Sequence, residues 1–308
     1  MAVPTPHADA LARIPVRERE STILGSRTRF WDFGPADARD VLVLVHGYRG
    51  DHHGLEPVIA RLDGIRVISP DLPGFGDSTP LTEAPHSIAG YGRWLAAFLD
   101  ALELDVAPVV LGHSFGSMVA SHAIAGGLPA RALVLVNPIT TDPKRAAGRG
   151  ITALTRFFYA VSRALPGPLA RAWLGNWLIV RFMSMSLVTT SDRTLRRWIH
   201  EEHHRYFNGF SDARTAAEAF RASVSTDVRA AAPRVEVPTV LIAGERDRIA
   251  PLAGQREAVE LFPDARLVVV PGTGHLAHYE TPAQVAEAIR GFIAQLPAAT
   301  AEPGGAGR

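Results

Sequence analysis

From residue 41 onward, short apolar runs alternate with stretches of helical pattern. The apolar runs lie at 41–45, 65–69, 107–111, 131–136, 238–243 and 266–270. The helical stretches lie near 53–62, 88–102, 115–125, 252–262 and 282–296. Because this alternation is typical of parallel strands joined by crossover helices, we predict an α/β fold with helices on both faces of the sheet.

Two further strands are predicted before the alternating region. Residues 17–24 and 27–33 have the pattern of short strands, and Gly25-Ser26 between them supplies a turn. Together with the six apolar runs, they give a mostly parallel sheet of eight strands.

The alternation stops between Asn137-Pro138 and about Thr226. Since this gap is too long for a loop, we predict a helical cap at 138–226, inserted after the sixth strand. The core is then formed by 1–137 and 227–296. The remaining residues, 297–308, are rich in Ala, Gly and Pro and are predicted to be a disordered tail.

The predicted cap is basic and rich in large apolar side chains. It carries 13 Lys/Arg against 6 Asp/Glu. Most of its large apolar side chains are expected to pack the cap helices together or onto the core, and some to cover the carboxyl edge of the sheet. They are Phe157, Phe158, Tyr159, Trp173, Trp177, Phe182, Met183, Met185, Trp198, Tyr206, Phe207 and Phe210.

Composition limits the possible functions. A formal net charge of +1 gives no reason to expect a nucleic-acid partner. The absence of cysteine excludes disulfides, cysteine catalysis and thiolate metal sites. No long uncharged apolar run and no secretion-type N-terminus is present, so we expect no stable membrane insertion and a cytoplasmic location.

Residues 112–116 read Gly-His-Ser-Phe-Gly, between the apolar run at 109–111 and a helix of small residues. A Gly-x-Ser-x-Gly sequence between a strand and a helix is a candidate nucleophile elbow, in which a strained turn raises the serine above the sheet edge. The alternative interpretation is a loop in which Ser114 caps the helix.

An activated serine needs a base, an acid that orients the base, and donors for the oxyanion. Asp247 and His275 both follow predicted strands, and ligands of open α/β sheets bind at the carboxyl ends of the strands. The strand at 41–45 ends in His46-Gly47-Tyr48, where a backbone N–H can face a substrate oxygen.

At this point the chain resembles the α/β-hydrolase superfamily. The segments that carry the resemblance follow the family's order: His46-Gly47-Tyr48, residues 70–78 (Pro-Asp-Leu-Pro-Gly-Phe-Gly-Asp-Ser), Gly112 to Gly116, Gly244 to Pro251, and Gly274-His275. The resemblance implies that Ser114 is the nucleophile, His275 the base and Asp247 the orienting acid. It also implies that the backbone N–H groups of Tyr48 and Phe115 form the oxyanion hole. We predict neither a cofactor nor a metal site.

Two assignments have competitors. His278 lies three residues after His275 and is the alternative base. Some relatives place the acid after the preceding strand, which makes Asp142 the alternative to Asp247. The turn around Asp247 matches the family better.

Other polar residues near these motifs have structural interpretations. Asp71 and Asp77 are expected to bond turn backbone, and His113 to pack. His46 is expected to orient the oxyanion loop, and His52-His53 to be a solvated pair.

Residues 200–204, His-Glu-Glu-His-His, match the His-Glu-x-x-His pattern of zinc proteases. A third ligand is needed, and Glu218 is the nearest candidate. No family signature follows, so we interpret the segment as a polar, exposed cap helix.

The sequence therefore predicts a serine hydrolase of a small carboxylic ester or related acyl compound, acting as a monomer or homodimer. Carbon–carbon bond hydrolases and thioesterases share the elbow serine, and a ligand receptor without turnover is the alternative from another class. The cap has three possible interpretations. It can form an apolar acyl-binding pocket with an arginine rim, it can present a solvated basic face, or its residues 169–188 can contact a membrane surface.

Overall fold

The structure is a computed structural model that describes residues 4–140, 161 and 165–297. Its centre is an eight-stranded sheet in the order β1-β2-β4-β3-β5-β6-β7-β8. The strands are β1 Val16–Ile23, β2 Ser26–Phe33, β3 Val41–Val45, β4 Arg66–Pro70, β5 Val109–His113, β6 Ala132–Val136, β7 Thr239–Gly244 and β8 Ala265–Val270. β2 runs antiparallel to both of its neighbours, and every other pairing is parallel. The predicted mostly parallel eight-stranded sheet is confirmed.

Apolar residues fill both faces of the sheet. In β3, Val43 and Val45 belong to the core on one face, and Leu42 and Leu44 to the core on the other. All four are at most 1% exposed. Full burial of a side chain of this size stabilises the fold by about 1.5–3 kcal/mol. Because both faces of this strand are covered, its side chains are apolar at every position and do not alternate with polar ones.

The helices cover both faces and one edge. They are α1 Ala8–Leu11, α2 Glu56–Ile59, α3 Ile88–Ala101, α4 Phe115–Ala125, α5 Gly167–Leu174, α6 Trp177–Leu187, α7 Arg193–Tyr206, α8 Ala213–Ser223, α9 Leu252–Val259, α10 Ala277–Glu280 and α11 Pro282–Ile293. α3, α4 and α9 contribute to one core, and α2 and α11 to the other. The predicted helix near 53–62 is shorter than expected, because a 3₁₀ turn at His52–Leu55 precedes α2.

Within the described residues, the helices α5 to α8 are inserted between β6 and β7. They contact the loop that follows β4: the Gly76 N–H donates to the Gly209 carbonyl over 2.6 Å, and the Ser211 N–H to the Gly74 carbonyl over 2.9 Å. This is the place predicted for the cap, and the limits of the predicted domains stay a prediction. The segment at 157–159, Asp142 and residues 298–308 lie outside the described residues.

Within the described ranges, no helix has both the length and the apolar character needed to cross a membrane.

Candidate active site

Ser114 lies at a sharp turn between β5 and α4. Its backbone has φ 50° and ψ −113°, a conformation that costs a non-glycine residue on the order of 1–3 kcal/mol. The flanking glycines make the turn possible, because a Cβ on Gly112 would overlap the Gly116 backbone and one on Gly116 would overlap the Val45 carbonyl. The turn therefore holds the serine at the carboxyl edge of the sheet.

Three side chains from three loops form one chain of hydrogen bonds. Ser114 Oγ lies 2.9 Å from His275 Nε2, and His275 Nδ1 lies 2.7 Å from Asp247 Oδ2. The three residues follow β5, β8 and β7, whose carboxyl ends share one edge of the sheet. An imidazole held between a hydroxyl and a carboxylate can take the hydroxyl proton while the carboxylate balances the new charge.

The Asp247 carboxylate is buried and fully occupied by donors. One oxygen accepts from the His275 ring and from Asn137 Nδ2, the latter over 2.9 Å. The other oxygen accepts from the backbone N–H groups of Ile249 and Ala250 over 2.8 and 2.9 Å. Burial by itself would raise the pKa of Asp247, but the charge of His275 and these hydrogen bonds outweigh burial and lower that pKa. The carboxylate is therefore ionised at neutral pH.

Asn137 belongs to this site, although the sequence marked it only as the end of the sixth strand. Its amide donates to Asp247 Oδ2 and, over 3.2 Å, to the Gly274 carbonyl. It thus ties the loop of the carboxylate to the loop of the histidine. The available signal was its position directly after β6, at the same sheet edge as the other site residues. Asp142, the alternative acid, lies outside the described residues.

The two predicted oxyanion donors lie next to Ser114. A Cβ on Gly47 would be 3.4 Å from the Ser114 Cβ, so the segment that continues into Tyr48 passes directly beside the serine. Phe115 is the first residue of α4, and backbone N–H groups in the first turn of a helix have no acceptor within that helix. The start of a helix also favours negative charge.

His46 fixes the segment before Tyr48. Its Nε2 accepts from the Leu72 N–H over 2.8 Å, so Nδ1 carries the proton and donates to the Gly47 carbonyl over 2.8 Å. Burial lowers the pKa of His46, which keeps the ring neutral. This geometry fits the orienting role predicted for His46.

Sequence comparison decides the family. The family model described as "Alpha/beta hydrolase family" matches residues 42–288. The chain belongs to the alpha/beta hydrolase family. It is 30% identical to pimeloyl-(acyl-carrier protein) methyl ester esterase of Xanthomonas campestris pv. campestris over 86% of this chain and 97% of the relative. It is 29% identical to the enzyme of the same name from Xanthomonas oryzae pv. oryzae, with the same coverage of both chains.

The fold of this hydrolase is similar to that of solved structures. A thermophilic esterase from Thermogutta terrifontis superimposes with a TM-score of 0.72 at 24% sequence identity, covering 90% of this chain and 98% of the esterase. At this identity the likeness concerns the fold alone.

Two further histidines of the hydrolase lie behind His275. The ring centre of His113 is 5.8 Å from that of His275 and 4.0 Å from that of His278. Burial, with a smaller contribution from the charge of His275, lowers the pKa of His113 to about 3. Burial also lowers the pKa of His278 well below its usual value. It is His275, rather than the alternative base His278, whose Nε2 reaches the Ser114 hydroxyl.

The expectation that His52 and His53 form a solvated pair is wrong for His52. Its ring is buried and stacks on Trp31 at a centroid distance of 3.3 Å. Its backbone N–H and Nδ1 both lie within 2.9 Å of Asp71 Oδ1. The other oxygen of Asp71 accepts from the Asp77 N–H over 2.8 Å, which is the turn-bonding role predicted for Asp71.

The expectation of an exposed helix at 200–204 is wrong for its inner face. His200 and His203 are buried, and the Nδ1 atoms of both lie 2.6 Å from Ser184 Oγ. His204 stacks on Trp177 at a ring-centre distance of 5.6 Å. These contacts pack α7 against α6. In the part of the chain that the structure describes, the motif histidines do not belong to a three-ligand group that could share a metal ion; the one such group is formed by residues 51–53.

The inserted helices also expose large apolar side chains that were expected to pack inward. Trp198 and Phe210 are buried as expected, at 2% and 1% exposed. Trp177, Phe182 and Met185 on α6 are 61%, 74% and 61% exposed. Since these three side chains face solvent, they do not line a pocket over Ser114.

Proposed function

We propose that this hydrolase cleaves carboxylic esters, with Ser114 as nucleophile, His275 as general base and Asp247 as the acid that orients the base. The observation that carries the proposal is the continuous hydrogen-bond chain from the serine hydroxyl, through both imidazole nitrogens, to a buried carboxylate. The relatives named as methyl ester esterases support an ester as the bond that is cleaved.

In the first half-reaction, His275 Nε2 takes the hydroxyl proton as Ser114 Oγ attacks the ester carbonyl carbon. The carbonyl electron pair moves onto oxygen, and this oxyanion accepts hydrogen bonds from the backbone N–H groups of Tyr48 and Phe115. When the tetrahedral intermediate collapses, the bond to the alkoxy oxygen breaks. His275 gives its proton to that oxygen, and an alcohol leaves behind an acyl-enzyme.

In the second half-reaction, His275 takes a proton from water, and the resulting hydroxide attacks the acyl carbon. The same two N–H groups hold the second oxyanion. Collapse breaks the bond to Ser114 Oγ, which recovers its proton from His275, and the carboxylic acid is released. Asp247 stays ionised throughout, because it balances the imidazolium that forms in each half-reaction.

The surroundings of the oxyanion loop support a small substrate with an apolar acyl group. The ring of Tyr48 lies 5.8 Å from that of Phe75, 6.4 Å from that of Phe115 and 6.0 Å from that of Phe220. Aromatic rings beside a polar reaction centre are typical of ligand pockets, in which a few polar groups orient a mainly apolar ligand. Phe75 and Phe115 are buried behind Tyr48, whereas Tyr48 and Phe220 are partly exposed. We propose Tyr48 and Phe220 as one wall of the acyl site, in place of the exposed side chains of α6.

We also propose that 138–226 is a lid over a core formed by 1–137 and 227–296. The contacts of Gly209 and Ser211 with the loop after β4 support this division, because that loop leaves the carboxyl edge of the sheet. That edge is the one that carries Ser114.

The test compares wild-type protein, Ser114→Ala and a matched serine variant on p-nitrophenyl esters of increasing acyl length. Ser121 supplies the control: it is also a buried serine of the β5–α4 region, and its hydroxyl has no hydrogen-bond partner among the described residues. Ser114→Ala should lose at least about 10³-fold in kcat, whereas Ser121→Ala should stay within about twofold of wild type. Turnover of Ser114→Ala near the wild-type rate would reject the assignment.

The same assay distinguishes the alternatives from the sequence. A matched thioester and a vinylogous 1,5-diketone, the substrate type of carbon–carbon hydrolases, are given to wild-type protein beside the esters. A higher kcat/KM for either one than for every ester would move the assignment to that bond. Binding of the esters without turnover would favour a receptor.

A further inference from the structure

Arg49 occupies a backbone position that normally belongs to glycine. The Gly50 N–H donates to the Gly47 carbonyl over 3.1 Å and closes a turn in which Arg49 is the third residue. Arg49 has φ 62°, and a β-turn with positive φ at its third residue strongly favours glycine. Residues that break a local rule in this way are found where the side chain has a task.

The Arg49 side chain joins this turn to the ends of two inserted helices. Its Nε donates to the Phe207 carbonyl over 2.9 Å, and its Nη2 to the Leu174 carbonyl over 3.0 Å and to Asn208 Oδ1 over 3.0 Å. Leu174 is the last residue of α5, and Phe207 directly follows the end of α7. A cation is favourable at both places, because the C-terminal carbonyls of a helix carry partial negative charge and lack partners within the helix.

This arginine is buried without an acidic partner. It is 2% exposed, and no Asp or Glu of the described residues forms an ion pair with it. In the described part of the chain, its Nη1 has no hydrogen-bond partner. A buried charge in this condition is a costly way to hold two helices, since apolar side chains of the same volume would do so at least as well. Stability of the fold is therefore a poor explanation for it.

The residue before Arg49 makes a parallel connection. The Tyr48 hydroxyl donates to the Ala216 carbonyl on α8 over 2.8 Å. Two consecutive residues of one turn thus bind α5, α7 and α8. The turn that carries the Tyr48 N–H is therefore tied to three inserted helices by side-chain hydrogen bonds.

The loop of His275 is linked to the same inserted segment. The Gly274 N–H donates to Thr189 Oγ1 over 2.9 Å, and the Thr189 N–H donates to Glu280 over 2.6 Å. The inserted segment therefore contacts both the loop of the base and the loop of the oxyanion donor.

We propose that Arg49 is a positioning residue that couples the inserted helices α5 and α7 to the oxyanion loop, so that the Tyr48 N–H is aligned only while these helices are docked. This inference rests on the proposed esterase function. In it, Arg49 touches no substrate atom and acts through the backbone of its neighbour.

The key variant is Arg49→Gly, because glycine relaxes the positive φ while the guanidinium is lost. If Arg49 mattered only for the turn, this variant would equal wild type. We expect instead that kcat for p-nitrophenyl acetate falls by about 10- to 100-fold, since misaligning one oxyanion donor costs somewhat less than deleting it. KM should change by less than about threefold, and added guanidinium chloride at low millimolar concentration should restore part of the loss in kcat.

Arg171→Ala is the matched control. Arg171 also lies over the Phe210 ring, at 5.7 Å against 5.3 Å for Arg49, and also donates to a backbone carbonyl of the inserted segment. Arg171 is exposed and lies outside the oxyanion loop, so the kcat of the Arg171→Ala variant should stay within about twofold of wild type. Arg49→Lys keeps the charge without the planar fork, and serves if Arg49→Gly does not fold. Its kcat should lie between those of Arg49→Gly and wild type.

Three results would overturn the inference. The first is a folded Arg49→Gly protein with kcat within twofold of wild type. The second is an unchanged kcat with KM raised only for anionic esters, which would make Arg49 a substrate-binding residue. The third is a loss of kcat that guanidinium does not reverse, which would indicate repacking of the site rather than loss of the link.

A readout without substrate separates this inference from the proposed function. Amide hydrogen exchange of residues 170–175 and 204–209 should accelerate in Arg49→Gly and stay at the wild-type rate in Arg171→Ala. If wild-type protein hydrolyses no ester, the proposed function fails, and this exchange measurement still decides whether Arg49 fastens the two helices. Unchanged exchange in Arg49→Gly would reject the link itself.

Discussion

Replacing Asp247 by asparagine should reverse the proton arrangement of His275 and leave Ser114 without a base. One carboxylate oxygen of Asp247 accepts from the backbone N–H groups of Ile249 and Ala250, whose positions are fixed by the chain. An asparagine side chain has one acceptor oxygen and one NH₂ group, and the oxygen must face these two donors. The NH₂ group then faces His275 Nδ1, which can meet it only as an acceptor.

The size of the expected loss in kcat follows from the tautomer of His275. With Nδ1 as acceptor, the ring proton moves to Nε2, the nitrogen that lies 2.9 Å from the Ser114 hydroxyl. A protonated Nε2 cannot take the hydroxyl proton. The same change in serine proteases lowers kcat by about 10⁴-fold, which corresponds to about 5.4 kcal/mol of transition-state stabilisation. We expect a loss of about 10³- to 10⁴-fold for Asp247→Asn.

The assay is steady-state hydrolysis of p-nitrophenyl acetate at pH 7.5, with circular dichroism and thermal unfolding to show that the variant is folded. Asp227→Asn is a matched control, because Asp227 is also a buried aspartate that accepts from a backbone N–H at the start of a helical turn. The Asp227→Asn protein should be less stable than wild type and should keep the wild-type kcat. A folded Asp247→Asn protein with more than a tenth of the wild-type kcat would show that Asp247 does not set the tautomer of His275.

Three further outcomes are expected. Burial lowers the pKa of His203 from 6.5 to about 3; the unfolded chain therefore binds the extra proton more tightly, and stability falls as pH decreases from 6.5 towards 3. The free energy of unfolding of the wild-type protein, measured by urea denaturation, should therefore fall between pH 7.5 and pH 5. In His203→Gln this fall should be smaller than in wild type by about 2 kcal/mol. Asn137→Gly keeps the positive φ of that residue (45°) and should lower kcat by about 10-fold without raising KM, because the amide that holds the carboxylate and base loops together is lost. Gly116→Ala should abolish soluble expression, because its Cβ would overlap the Val45 carbonyl. Gly291 lies in a helix, and a Cβ there would meet open space. Gly291→Ala should therefore raise the free energy of unfolding by about 1 kcal/mol and the melting temperature by a few degrees.

The sheet and the central site residues were predictable because their signals are local. A buried parallel strand must be apolar along its whole length, so the run at 41–45 marks β3 to the residue. Topology then places the residues after β5, β7 and β8 at one sheet edge. Sequence therefore indicates which side chains meet there, without giving their distances.

Asn137 was not predicted because its role depends on contacts between loops. Its amide reaches two loops more than one hundred residues away in the chain, and no local pattern encodes that meeting.

The inserted helices were predicted least well, because helical periodicity does not reveal which face is covered. His200 and His203 look like part of a polar surface in the sequence. They are buried where α7 packs on α6, and Ser184 on that preceding helix contacts both. Phe182 looks like a core residue and is 74% exposed. Tertiary packing decides both cases.

The most direct test of Ser114 as the nucleophile is covalent labelling with a fluorophosphonate, followed by peptide mass spectrometry and an esterase assay on the same sample. We predict one phosphonyl adduct, on Ser114, with loss of ester hydrolysis in proportion to labelling. We expect no adduct in Ser114→Ala and normal labelling in Ser121→Ala. An adduct on another residue, or full hydrolysis by protein labelled at Ser114, would contradict the assignment of Ser114.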